Sequence, residues 1–181
     1  MTLAEVIKIK EDELRLTKDH EVAVVYDGVG NIIVEEHGGS SSVDLSSHLN
    51  RVRDVGGATL VHNYTLGWRY PPDDPRHVGS SFSPEDIATA CYAELIEIRA
   101  VGPVFIYAMR PSIGLNWSSN YWDNAVAPFL EKHRAMTIRS MLQAVVAGIT
   151  SREIAEADFW HQVWLRISTN LSWEYTRLTD E

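Results

Sequence analysis

The stretch TLVHNYTLGWRYPPDDPRHVGSSFSPEDI, residues 59–87, decides how the chain is read. It begins in the continuous apolar run ATLVH (58–62), the pattern of a short strand buried on both faces. Residues 64–82 carry three prolines, two aspartates and glycines, which makes them a true loop. That loop is longer than most connections within a domain, so a covering or functional role is expected of it. SPEDIATACYAELIE then marks a helix start, with Ser83 at the N-cap, Pro84 at the first helical position and Asp86 three residues after the cap.

Working outward, EVAVVYDGVGNIIVEEHG (21–38) places two β-branched runs around DGVGN and predicts a hairpin with strands near 21–27 and 31–36. Residues 3–17 are charged and partly apolar, and periodicity leaves helix and edge strand both open. Asp44 or Ser46 caps a predicted helix in LSSHLNRVRDV, stopped by Gly56 and Gly57. EIRAVGPVFIYAMRP (97–111) predicts a second pair of strands. From there three- and four-residue apolar spacing predicts helices over 123–148 and 150–171, helical to the chain's end. The expectation is an α/β (α+β) fold: a mixed β-sheet with flanking helices over 1–111, and a helical extension over 112–181 packed on the same domain.

The chain has 181 residues, 45% of them hydrophobic and 23% charged, the balance of one globular domain. A formal net charge of -9 argues against a nucleic-acid or anionic-membrane partner, since phosphates need clustered cations. The N-terminus lacks the apolar run of a signal peptide and no window is long enough for a membrane span, so a cytoplasmic location is expected. The single cysteine, Cys91, lies in a helical pattern and reads as a small buried hydrophobe.

His62 ends the buried strand and Asp86 opens a helix, so two rigid elements present two candidate metal ligands. Ser83 stands beside Asp86. Taken on spacing alone, a polar strand end and a well-capped helix account for these residues without chemistry. Four motifs in order, HEVAVVYDGVGNII, TLVHNYT, SFSPEDI and EIRAVGPVFIYAMRP, resemble the JAB/JAMM metalloprotease superfamily, especially its RadC-like and phage-associated bacterial branches. The likeness has motif support over residues 19–111. Its signature is an upstream Glu, then His-x-His-Pro, then Ser-x-x-Asp. Here the matching positions are Glu21, His62 through Thr65, and Ser83 through Asp86.

The resemblance implies a zinc-dependent hydrolase of peptide or isopeptide bonds. In that scheme Glu21 is the general base and acid for a zinc-bound water, His62 and Asp86 bind the metal, and Ser83 stabilises the oxyanion. The departures are equally plain: Tyr64 replaces the second histidine and Thr65 the proline. A phenol binds zinc well only after losing a proton whose reference pKa is about 10. Three accounts follow. His77, carried by the long loop, supplies the missing imidazole; Tyr64 is itself a ligand or faces substrate; or the zinc chemistry is lost and the fold serves as a protein-binding module. A nucleic-acid role by analogy with RadC-like proteins is disfavoured by the acidic charge. Trp68 and Tyr70 in the loop suggest a partner anchor or cleft cover. Trp160 and Trp164 read as helix packing. His37, His48, His133 and His161 show no joint metal spacing and read as structural or solvated.

Overall fold

The predicted hairpin is present in the computed structural model, which describes residues 1–179. β1 (Val22–Tyr26) and β2 (Ile32–His37) pair antiparallel. Asp27 Oδ1 holds their turn by accepting the N–H groups of Val29 at 2.9 Å and Asn31 at 2.8 Å. Gly30 adopts φ +95°, a backbone that glycine takes without strain.

β1 pairs on its other side with β3 (Thr59–Asn63), antiparallel, which places Ala23 opposite His62. β3 in turn runs parallel to β4 (Glu97–Val101), and β4 is antiparallel to β5 (Phe105–Arg110). A parallel pair needs a long crossover, and the 64–82 loop with α3 (Pro84–Tyr92) supplies it. The sheet order is β2-β1-β3-β4-β5-β6. This is the expected mixed α/β architecture, a mixed sheet flanked by helices.

Both faces of the sheet are covered, as the unbroken burial of β1 and β3 demands. On one face α1 (Leu3–Leu16) packs Ile7 and Leu14 against Val22, Val24, Tyr26 and Val61. The helical alternative therefore holds for residues 3–16. Thr2 and Glu5 form its capping box, and buried Glu11 is satisfied by Arg99 of β4 at 2.6 Å. On the other face lie α2 (Leu49–Val55), α3 and α6 (Arg152–Leu171), around Ala23, Val25, Leu60, Phe82 and Trp164. Asp44 Oδ1 accepts the Ser46 N–H at 2.8 Å, ahead of a 3-10 turn leading into α2. The lone Cys91 is buried, and its thiol is pushed up to about 12 by that burial.

The segment after residue 111 departs from expectation at its end. α4 (Ser119–Tyr121), a π-helical turn (Trp122–Val126), α5 (Ala127–Val146) and α6 are helical as predicted. Glu174–Thr179 instead form β6, antiparallel to β5. Ser172, at φ 55°, ends α6 in the left-handed region and turns the chain back to the sheet edge. Tyr and Thr in this stretch suit a strand, and β5 offers it a complete ladder. Residues 180 and 181, included in the helical expectation, lie outside the described residues.

α6 is tied into the core by Trp164, whose side chain is fully buried and whose indole N–H donates to the Phe82 carbonyl at 2.6 Å. Trp164→Phe removes that bond and leaves a buried carbonyl unpaired, so urea unfolding should show a loss of about 1–3 kcal/mol. Leu142→Ser, at a side chain that is 61% exposed, should change stability by less than about 0.5 kcal/mol in the same assay.

Candidate functional site

Strand parity and pairing assemble the site. Side chains two apart share a sheet face, so His62 follows Leu60 onto the face covered by α3 and α6, and its ring lies 6.5 Å from that of Phe82. Because β1 is antiparallel to β3, the start of β1 lies beside the end of β3, and Glu21 falls next to Asn63, Tyr64 and Thr65. Asn63 locks this corner. Its Oδ1 accepts the Val22 N–H at 2.7 Å, and its Nδ2 donates to the Thr17 carbonyl at 2.8 Å and the His20 carbonyl at 3.1 Å. The crossover then sets the first turn of α3 over the same end of the sheet.

Five of the six predicted site residues, Glu21, His62, Tyr64, Ser83 and Asp86, are thereby gathered. Ser83 and Asp86 form the predicted capping box: the Ser83 hydroxyl donates to Asp86 Oδ2 at 2.7 Å and accepts the Asp86 N–H at 3.2 Å. The Ser83 hydroxyl proposed for an oxyanion is thus engaged at the helix cap. The Tyr64 hydroxyl donates to Asp86 Oδ2 and accepts the Ser83 N–H at 2.8 Å. Its ring lies edge-on to His62, with centroids 4.8 Å apart.

His62 Nε2 stands 3.9 Å from Asp86 Oδ1 and is buried without a hydrogen-bond partner. Burial lowers the imidazole to about 4, against a smaller raising effect of its hydrogen bond to the Asn63 backbone, so it is neutral at physiological pH. Burial raises the Asp86 carboxyl to about 7, opposed by the Ser83 N–H. Glu21 is raised to about 7 by burial and then by the charge of Asp86, opposed by the Thr65 N–H and the Arg69 guanidinium. Two carboxyls able to exchange protons near neutrality therefore stand beside a neutral imidazole and a phenol.

His77 is not brought to this cluster. Its Nδ1 pairs with the Tyr70 carbonyl at 2.8 Å and its ring stacks on Trp68, with centroids 6.0 Å apart. The loop folds on itself and on Pro103 of the β4–β5 turn. A Cβ at Gly67 would lie 2.7 Å from both the His77 carbonyl and the Pro103 ring, so the loop closes on its own backbone and against the proline side chain. Trp68 and Tyr70 serve this packing, with the Arg76 guanidinium 4.3 Å above the Tyr70 ring.

As placed, the motif positions offer two donors, His62 and Asp86, with a hydrogen-bonded phenol at the third. His62 and Asp86 face each other, wider than the about 3.4 Å spanned by N and O ligands of one tetrahedral zinc. The third position holds a phenol hydrogen-bonded to Asp86 and Ser83. Among the described residues no three His, Cys, Asp or Glu side chains are grouped to hold an ion. Residues not singled out from sequence are Asn63, next to His62, and Arg69 in the loop; Thr65, read there only as replacing the motif's proline, gives its N–H to Glu21.

No family model, no curated protein and no solved structure matches the chain. Among the described residues no helix is long and apolar enough to cross a membrane.

The folded-state value of Glu21 lies above its ordinary 4.5, so the folded state holds a proton that the unfolded state releases between about 4.5 and about 7. Its contribution to stability accordingly falls as pH rises through that window. Asp86 acts in the same direction, whereas His62, lowered to about 4, favours folding as pH rises toward 6.5. Glu21→Gln removes this group together with its coupling to Asp86: the variant should gain stability relative to the parent from pH 4.5 to 7 in urea unfolding, and a constant difference would refute the assignment.

Proposed function

We propose that this chain is a JAB/JAMM-like module that has exchanged zinc hydrolysis for binding a polypeptide partner. The observation that carries the reading is the Tyr64 hydroxyl, which bridges Asp86 and the Ser83 N–H where the signature calls for a third ligand. Glu21, His62 and Asp86 keep the positions of the motif, while Tyr64 ties the Asp86 carboxylate and the start of α3 into one hydrogen-bonded unit.

The surface beside the site supports a partner. A cavity of about 270 Å³ between the long loop and α6 is lined by Leu66, Tyr70, Arg76, Phe159 and Trp160. It adjoins, across Phe159 and Glu156, an apolar groove of about 370 Å³ bordered by Ile138, Met141, Leu142 and Val145 of α5. An apolar segment suits that groove, whose own charges, Arg152 and Glu156, pair with each other at 2.7 Å.

A second reading, a peptidase or isopeptidase with an altered, weakened zinc site, is favoured by one feature: the orphaned His62 Nε2 pointing toward Asp86. Metal analysis after dialysis separates the two. The parent should hold no zinc that depends on His62. Tyr64→His, which restores the missing imidazole, should acquire one equivalent that His62→Ala then removes. Stoichiometric zinc in the parent that disappears in both His62→Ala and Asp86→Ala would overturn the binding-module reading in favour of the hydrolase.

A further inference from the structure

We propose that His20 and His37 form a separate site for a divalent transition-metal ion of the zinc or copper type, at the rim of the sheet where β1 begins. The inference stands independently of the His62 cluster. His20 immediately precedes Glu21, and His37 ends β2 opposite Val22. The two rings stack with centroids 5.5 Å apart, and His20 Nε2 faces His37 Nδ1 at 3.3 Å. Two imidazole nitrogens bound to one tetrahedral zinc at 2.0–2.1 Å stand about 3.3 Å apart.

Without an ion the two rings share a hydrogen bond at that distance, and a cation that displaces its proton would take both nitrogens with little movement. His20 Nδ1 meets Asp19 Oδ1 at 2.8 Å, and His37 Nε2 lies 3.6 Å from Glu35 Oε1. A carboxylate on the outer nitrogen of a neutral imidazole holds the proton there. The Asp19 bond leaves the His20 Nε2 lone pair to accept from His37 Nδ1, and the 3.6 Å contact of His37 with Glu35 is beyond hydrogen-bond distance. Asp19 on the outer nitrogen of His20 stands where an outer-shell acid orients a metal-binding histidine.

The side chains are 37% and 60% exposed, so an ion enters from solvent and water completes its coordination. Imidazole donors select zinc, copper or nickel over magnesium. A bound ion would clip the residue before β1 to the end of β2. Those strands are already joined there by the Glu21 N–H to the Gly39 carbonyl and the Gly38 N–H to the Glu21 carbonyl, both at 2.8 Å.

The test is calorimetric titration of the full chain with zinc chloride, with magnesium chloride as control, alongside thermal unfolding. Expected is saturable binding of one zinc per chain that raises Tm, with no response to magnesium. His20→Ala and His37→Ala should each abolish it, Asp19→Asn should weaken it about 10-fold, and His62→Ala should leave it intact. Both histidines are solvent-facing, so circular dichroism should show the variants folded. Absence of saturable zinc binding, binding that survives both histidine substitutions, or binding lost in His62→Ala would each overturn the proposal.

Discussion

Burial of β3 on both faces is the constraint from which the rest of the structure follows. All five of its residues are buried, so neither face can be left to solvent and every polar group in it requires a partner. α1 closes one side and α3 with α6 the other. The parallel partner β4 forces a crossover, and a crossover that covers the sheet returns a helix start to the carboxyl end of β3. The meeting of Ser83 and Asp86 with His62 is thus a product of topology before it is a matter of chemistry. Within the same strand, Asn63 has its amide fully engaged, whereas the His62 Nε2 has no partner. That contrast marks His62 as the residue whose presence packing alone does not explain.

The segment after residue 111 takes part in this frame. Trp164 holds the Phe82 carbonyl, and Tyr175 of β6 joins the Ser81 hydroxyl to His161 of α6, each contact at 2.8 Å. Residues 81 and 82 lead directly into Ser83. The last helix and last strand therefore fix the approach to the α3 cap from below, and the Tyr107 and Tyr175 rings stack at 6° within the same wall. Loosening this anchorage would shift the Ser83 N–H that the Tyr64 hydroxyl accepts.

Features set by neighbours in sequence were legible from it: the DGVGN hairpin, the unbroken apolar run of β3 and the Ser83–Asp86 capping box. Features set by distant pairing were not. The α1 pattern was ambiguous because Glu11 sits on its buried face, and only Arg99, 88 residues away, makes that position tolerable. β6 is a strand because β5 offers an open edge, a fact absent from its own six residues. His37 looked isolated because its partner lies 17 positions earlier, across a hairpin. For the site, the juxtaposition of Glu21 and His62 follows from antiparallel pairing. The Tyr64–Asp86 contact depends on how the loop leaves β3, which no local signal specifies. His77 was one of three accounts of the missing imidazole, open because the long loop carries it; the close approach at Gly67 packs that loop on the β4–β5 turn instead.

Tyr64 belongs to the start of α3 as well as to the cluster beside His62. The first N–H groups of a helix have no intrahelical acceptor, and each start must find one. At α3 the Ser83 N–H has the Asp86 carboxylate at 2.7 Å and the Tyr64 hydroxyl at 2.8 Å, and that hydroxyl donates in turn to Asp86. The phenol is accordingly part of the helix cap as much as part of the cluster beside His62. A side chain committed to two bonds of this kind is not readily released to a substrate or an ion, since each bond given up leaves a half-buried polar group unpaired. Groups without such commitments lie elsewhere, in the exposed apolar residues of α5 and the aromatic cavity between the loop and α6.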